Sequence, residues 1–174
     1  MDLEKALATA IEYEEKVHAV YAKAAKEAKD PVAVKVYATM SEEEARHVAY
    51  LKSRLAEWKA HGHLAEERLE SLVPSYEAVT RGVARLKEKA ATLGQRRRDA
   101  EAELAYLQQA LAVENETFAF YSRMVAETPP EAQRLFERFL EIEKAHGAIV
   151  QAQIDAVTGL GFWFDLQEFS LESG

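Results

Sequence analysis

The sequence of 174 residues contains no cysteine and has only seven glycines and four prolines. The missing thiols exclude disulfides, a cysteine nucleophile, a cysteine-ligated zinc ion and an iron–sulfur or rubredoxin-type iron centre within these residues. The few glycines and prolines permit long uninterrupted helices. Period-two runs of Val, Ile and Thr are also missing, whereas strong helix formers dominate. The sequence therefore predicts an all-α protein.

The sequence also lacks the features of membrane-spanning, secreted and nucleic-acid-binding proteins. No apolar run approaches the roughly 18 residues that a membrane-spanning helix needs. The acidic start at residues 1–5 does not resemble a signal peptide, so we expect a cytoplasmic location and no membrane association. The net charge is −8, and the arginines at 96–98 form no basic stripe, so we expect no nucleic-acid partner.

The chain is predicted to form one domain, over residues 1–174. Asp30 and Pro31 suit an N-cap and a first helical position, so they separate helices over 3–28 and 31–60. The predicted units are a first hairpin at about 3–60, a crossover at about 61–96, a second hairpin at about 97–157 and an aromatic tail at 158–174.

The second hairpin has its own boundary signals. Thr128 and Glu131 suit a capping box between a helix over 97–127 and one that ends near Val157. Two tight hairpins joined by one long crossover are typical of a ferritin-like four-helix bundle. The crossover itself is predicted to hold two shorter helical pieces, over 64–73 and 75–93.

The two hairpins look like copies of one unit. A shift of 100 residues in the first helix of each hairpin, and of 99 in the second, brings like residues into register. Such a repeat predicts a pseudo-two-fold axis, so side chains that one hairpin directs at the axis have counterparts in the other. The aligned pairs are Glu14 and Glu114, Tyr21 and Tyr121, Glu44 and Glu143, and His47 and His146.

Each copy carries a Glu, a Tyr seven residues later and a Glu-x-x-His motif in the following helix. Helical spacing places the Glu and Tyr on one face, and it places the Glu and His of the motif together as well. The two Glu are 30 residues apart in the first hairpin and 29 in the second, which brings their carboxylates to similar heights. Six side chains are expected to converge mid-bundle: Glu14, Glu44, His47, Glu114, Glu143 and His146.

This set of side chains is suited to two divalent ions. Iron and manganese bind carboxylate oxygens and imidazole nitrogens, and a Glu can bridge two metals. Four buried carboxylates without compensation would cost on the order of several kcal/mol each. The sequence therefore predicts a site for two divalent ions, either iron or manganese. A metal-free bundle with solvated charges is the structural alternative.

These motifs resemble those of the rubrerythrin and bacterioferritin branch of the ferritin-like superfamily. The resemblance implies a diiron-carboxylate site that reacts with dioxygen or hydrogen peroxide. It implies that Glu44 and Glu143 bridge the metals, and that each His binds one of them. Glu14 and Glu114 would be terminal ligands, and the remaining implied residues are Tyr21 and Tyr121, which would hydrogen-bond ligand carboxylates.

The sequence departs from rubrerythrins in two respects. It has no cysteine for a rubredoxin-type iron, and Thr117 occupies the position where rubrerythrins tend to carry an extra Glu. The ligand set is therefore closer to that of a bacterioferritin-type ferroxidase, although the crossover and tail do not resemble a cage-forming subunit. We expect an external electron donor and a homo-oligomer, most simply a dimer.

The predicted function is a diiron oxidoreductase that oxidises Fe(II) or reduces hydrogen peroxide or dioxygen. Three alternatives stay open: an iron store without significant turnover, a dimanganese catalase-like enzyme and a structural helical module. The aromatic tail is expected to pack over its own bundle or to reach a partner chain. Surface positions are expected for the remaining candidates Glu12, Glu15, His61, His63 and Glu116. His18 is expected to be partly exposed on its helix, and the alternative is that it approaches the site as a hydrogen-bond donor.

Overall fold

The computed structural model describes residues 2–65, 69–90, 101–159 and 164–166, and within them it shows five helices and no strand. α1 and α2 form one hairpin and α4 and α5 the other, while α1 also packs against α4 and α3 against α5. The predicted all-α ferritin-like bundle is confirmed. None of the described helices is both long enough and apolar enough to span a membrane. The helices are α1 (Leu3–Glu27), α2 (Pro31–His61), α3 (Tyr76–Ala90), α4 (Glu101–Glu127) and α5 (Pro130–Gly159).

The turn between α1 and α2 forms as predicted. Asp30 Oδ1 accepts hydrogen bonds from the backbone amides of Val32 at 2.8 Å and Ala33 at 3.4 Å. These amides have no partner within the helix, so the N-cap satisfies them. At the other end, α2 stops at Gly62, whose φ of 69° lies in the left-handed region that favours glycine.

The turn between α4 and α5 differs from the predicted capping box. Thr128 Oγ1 donates to the carbonyl of Met124 at 2.5 Å, and α5 begins at Pro130. The same carbonyl also accepts the Thr128 amide at 3.0 Å, so Thr128 closes the last turn of α4. The Gln133 amide pairs with the Pro129 carbonyl at 3.0 Å, which makes Pro129 the N-cap of α5, so the prediction that Thr128 caps α5 is wrong.

The crossover is less helical than predicted. Residues 64–65 and 69–75 are not helical, so the helix over 64–73 is wrong at its described positions. Arg138 Nε donates to the Leu69 carbonyl at 3.0 Å, and Glu57 accepts from the Ala65 amide at 2.8 Å. These bonds to side chains of α5 and α2 replace the backbone bonds of a helix. The second predicted piece corresponds to α3, but residues 91–100, including the arginines, lie outside the described residues.

The described part of the tail packs on its own bundle. Phe164 is buried in the apolar core, and its backbone N–H and C=O both pair with the side chain of Gln153, at 2.9 and 2.6 Å. Asp165 pairs with Lys35 at 2.5 Å. At these residues the first of the two predicted positions of the tail is confirmed. The remaining tail residues, 160–163 and 167–174, lie outside the described residues.

Apolar side chains form two buried clusters, one on each side of the middle of the bundle. In α1, the first cluster includes residues from Leu3 to Ile11 and the second includes residues from Val17 to Ala24. The helices α2, α4 and α5 pass from one cluster to the other in the same way. Glu14 and its counterparts occupy the stretch between the clusters, so the fold places a buried polar layer between two apolar ones.

Candidate metal centre

The polar layer consists of side chains from all four helices of the two hairpins. Each of these side chains is at most 1% exposed. The structure thus brings together all six residues that the repeat selected, and their role as ligands stays a prediction. They are Glu14 from α1, Glu44 and His47 from α2, Glu114 from α4, and Glu143 and His146 from α5.

Glu44 lies between the two histidines. Its Oε2 is 3.2 Å from His47 Nδ1, and its Oε1 is 2.9 Å from His146 Nδ1. The two imidazole rings are nearly parallel, with an interplanar angle of 7° and a centroid separation of 5.5 Å. One carboxylate therefore faces both halves of the site, which is the arrangement that a bridging ligand requires.

Two tyrosines cross between the hairpins to hold the other pair of carboxylates. Tyr121 donates to Glu14 Oε1 at 2.5 Å, and Tyr21 donates to Glu114 Oε1. The second oxygen of each carboxylate is directed at a histidine. Glu14 Oε2 lies 3.1 Å from Nδ1 of His47, and Glu114 Oε2 lies 3.7 Å from Nδ1 of His146. Each of these carboxylates thus has one oxygen held by a hydroxyl and one available as a ligand.

The donor set fits two cations. Buried polar atoms normally have hydrogen-bond partners. Among the described residues, however, no hydrogen bond reaches Glu114 Oε2, either oxygen of Glu143 or either ring nitrogen of His146, although Glu44 Oε1 lies 2.9 Å from His146 Nδ1. Three groups of ligand atoms each lie within 4.8 Å of one another, and Glu44 belongs to two of them. These two are Glu14, Glu44, His47 and Glu143, and Glu44, Glu114 and His146; the third is Glu43, His47 and His146.

Burial and crowding shift the proton affinities of the cluster. Burial, followed by the charge of Glu44, raises the pKa of Glu14 to about 7. Burial, followed by the nearby carboxylates of Glu14 and Glu114, also raises the pKa of Glu143. These two carboxyl groups therefore retain protons at a higher pH than an exposed Glu does.

The pKa values of the two histidines are raised, which is the direction that their carboxylate neighbours favour. Burial alone would lower the pKa of His47 and of His146, but Glu44 and the other carboxylates raise both well above the usual range. Burial alone would likewise raise the pKa of Glu44, but the two histidines hold it well below its usual value. Protons thus compensate part of the carboxylate charge, and metal ions must displace them on binding.

One candidate, Glu43, was not predicted from the sequence. It is fully buried in α2, with Oε1 3.4 Å from His47 Nε2 and Oε2 accepting the Leu72 amide at 2.9 Å. Its counterpart in the repeat is Ile142, so the pattern that selected the other six residues did not include it. Its place four residues before His47 was a usable signal, because side chains at that spacing are neighbours on a helix.

The other residues weighed from the sequence lie outside the centre. Glu15 and Glu116 are exposed and pair with Lys52 and Lys16, respectively. His18 is half-buried, as expected, and none of the candidate groups of metal ligands found among the described residues includes it. The expected surface positions are confirmed for the exposed residues Glu12, Glu15, His61, His63 and Glu116.

The family of the chain follows from a comparison with models of known protein families. A family model described as Rubrerythrin matches residues 5–154. The chain belongs to the rubrerythrin family. Comparisons with curated proteins and with solved structures give no significant match. The family match includes all six predicted ligands, so the resemblance inferred from the motifs is confirmed. The rubrerythrin family usually binds iron, and the buried Glu and His cluster has the composition to hold metal ions.

Thr117 marks the departure of this rubrerythrin-family chain from the expected ligand pattern. It lies one turn after Glu114 and is fully buried. Its hydroxyl donates to the Val113 carbonyl at 2.9 Å, within its own helix. The position therefore faces the interior of the bundle without adding a charge to the carboxylate cluster.

Proposed function

We propose that the protein is a diiron oxidoreductase that oxidises Fe(II) and reduces hydrogen peroxide or dioxygen. The observation that carries this proposal is the buried layer of four carboxylates and two imidazoles, each at most 1% exposed, between two apolar clusters. Buried carboxylates need compensating charge, and two divalent cations supply as much positive charge as four carboxylates carry negative. Iron bound there would supply two electrons for the reaction, one from each ion.

The side chains of the chain itself hold this centre in shape. Glu14 and Glu114 would bind through Oε2, because a tyrosine hydroxyl occupies each Oε1. Burial and the neighbouring carboxylates raise the pKa of Tyr21 and Tyr121 well above the usual range, so both hydroxyls stay protonated donors. Glu44, which faces both histidines, would bridge the metals, and Glu143 would be its counterpart across the pseudo-two-fold axis.

Burial limits the size of the substrate. Since the six candidate ligands are at most 1% exposed, the centre accommodates small species such as Fe(II), dioxygen or hydrogen peroxide. A larger reductant would have to deliver electrons from the surface of the protein. The 174 residues contain no cysteine for a rubredoxin-type relay, so we propose an external electron donor. The homodimer expected from the sequence remains a prediction.

The test is elemental analysis of protein purified without added metal, followed by optical spectra during peroxide addition. The proposal predicts about two iron ions per chain and a charge-transfer band that appears on oxidation. Repeated turnover with peroxide and a reductant identifies an enzyme, whereas a single oxidation without turnover identifies an iron store. Manganese with peroxide disproportionation identifies a catalase. No stoichiometric metal after anaerobic reconstitution with iron or manganese would overturn the proposal in favour of a structural module.

The substitution Thr117→Glu is expected to increase peroxide turnover. A Glu at this buried position would add a carboxylate one turn from Glu114, where rubrerythrins tend to carry one. We expect an increase on the order of tenfold in kcat with peroxide, the lower end of what groups around a metal site contribute. Stopped-flow kinetics with a fixed reductant measure it. Thr117→Gln is the matched control, since it has nearly the same size and no charge. Equal rates in the two variants would contradict the prediction.

A further inference from the structure

We propose that Glu43 is a positioning residue, which holds His47 of the metal centre from the side of its Nε2 atom and ties the crossover to it. This inference rests on the proposed function, because it assigns Glu43 a role towards the same metal ions. It concerns a side chain that lies outside the repeated ligand set. Three observations support it: the orientation of the imidazoles, the contact with the crossover and the asymmetry of the repeat.

The two nitrogens of His47 face different surroundings. Nδ1 is directed at the carboxylates of Glu14 and Glu44, at 3.1 and 3.2 Å. Nε2 lies 3.4 Å from Glu43 Oε1, and neither of these two buried atoms makes a hydrogen bond within the described residues. A nitrogen of His146 also lies within 4.8 Å of a Glu43 oxygen and a His47 nitrogen. One buried carboxylate therefore lies beside the nitrogen of His47 that Glu14 and Glu44 do not approach.

This geometry sets the tautomer of a ligating histidine. A neutral imidazole that binds a metal through Nδ1 carries its proton on Nε2, and a carboxylate that accepts this proton fixes the ring and raises its basicity. A cation at Nε2 would instead compete for the nitrogen that holds the proton. Glu43 therefore fits the role of an acceptor for His47 Nε2–H better than the role of a ligand.

Glu43 also connects the centre to the crossover. Its Oε2 accepts the amide of Leu72 at 2.9 Å, although the two residues are 29 positions apart in the chain. Three residues before Leu72, the Leu69 carbonyl accepts from Arg138 of α5 at 3.0 Å. The segment 69–72 is thus bonded to both helices that carry the histidines, α2 through Glu43 and α5 through Arg138.

The repeat shows that the hairpin itself does not require an acid at this position. The counterpart of Glu43 in the second hairpin is Ile142, which is buried in the apolar core. The first hairpin thus carries a buried acid, and its contact with Leu72, where the second carries an apolar residue. Glu43→Ile therefore introduces the side chain that the chain already uses at the equivalent position.

The experiment compares the wild type with Glu43→Ile, Glu43→Gln and the control Glu42→Gln, by anaerobic titration with Fe(II). Glu42 is the exposed neighbour of Glu43, so the control removes one charge without touching the centre. We expect two ions per chain at saturation in every form, with affinity lowered on the order of 10–100-fold in Glu43→Ile. Glu43→Gln should lose less affinity than Glu43→Ile, because its amide oxygen can still make one of the two carboxylate contacts, whereas isoleucine can make neither.

Two spectroscopic measurements separate positioning from a general loss of packing. In protein loaded with diamagnetic Zn(II), ring ¹⁵N shifts should report Nε2–H on His47 in the wild type and a mixture of tautomers in Glu43→Ile. Hydrogen exchange of the Leu72 amide should be slow in the wild type and the Glu42→Gln control, and faster in Glu43→Ile. If Glu43→Ile does not fold, both measurements are made on Glu43→Gln instead.

Each outcome of the titration has a defined meaning. Unchanged Fe(II) affinity in both Glu43 variants would overturn the inference while leaving the proposed function intact. A third ion in the wild type that disappears in Glu43→Ile would make Glu43 a ligand and also overturn it. Absence of Fe(II) binding in the wild type and in Glu42→Gln would instead overturn the proposed function, and this inference with it.

Discussion

Replacement of Glu44 by alanine is expected to reduce metal binding from about two ions per chain to at most one. Glu44 places one oxygen 2.9 Å from His146 Nδ1 and the other 3.2 Å from His47 Nδ1, and it belongs to two of the three groups of ligand atoms. Its removal therefore takes a ligand from each half of the site and leaves two buried histidines without their shared partner. Anaerobic Fe(II) titration with elemental analysis measures the stoichiometry.

One control variant and one second test accompany this prediction. Glu42→Ala removes an exposed carboxylate two residues earlier and should keep the full metal content. Glu143→Ala removes the counterpart of Glu44 in the second hairpin and should also abolish the paired site. An unchanged content of two ions in both Glu44→Ala and Glu143→Ala would refute the assignment of the bridging ligands.

The stabilisation of the protein by metal is expected to grow as the pH rises from about 5.5 to about 8. Burial and Glu44 raise the pKa of Glu14 from 4.5 to about 7, and the pKa values of Glu143 and both histidines are also raised. The metal-free folded state thus binds more protons than the unfolded chain, and its free energy of unfolding falls as the pH rises. The lowered pKa of Glu44 makes the free energy of unfolding rise with pH instead, but only at pH values below the usual pKa of 4.5.

Metal binding reverses this dependence because the ions replace the protons. Each site stabilises the folded state by about 2.7 kcal/mol when the free metal is 100 times the Kd. For a protein of this size, about 1 kcal/mol shifts Tm by roughly 2–4 °C. We therefore expect a shift on the order of 5–10 °C per site near pH 8 and a much smaller one near pH 5.5.

Differential scanning calorimetry with and without Fe(II), under anaerobic conditions, measures this shift. Glu44→Ala is the reference, because it should show little of the metal-dependent increase in Tm at either pH. A metal-dependent shift that stays constant or shrinks between the two pH values would contradict the proton competition described above.

The sequence alone determined the helical class, the hairpins and the six residues of the centre. Helical spacing determines which side chains share a face, and the repeat of the hairpin predicts which faces meet at the pseudo-two-fold axis. Glu14 and Glu114 could therefore be selected from among 30 acidic residues without any knowledge of their contacts. The structure then placed each of them within 4 Å of a histidine, at 3.1 and 3.7 Å.

Only the tertiary structure decided the features that depend on contacts between distant segments. Glu43 is one of three consecutive glutamates, and its selection required the Leu72 amide, 29 positions away. The segment 69–73 reads as helical by composition but bonds to Arg138, 69 positions away. Thr128 suits either neighbouring helix, and its bond to Met124 assigns it to α4. Local sequence sets the periodicity of a helix, whereas competition for buried hydrogen-bond partners is settled only when the segments pack together.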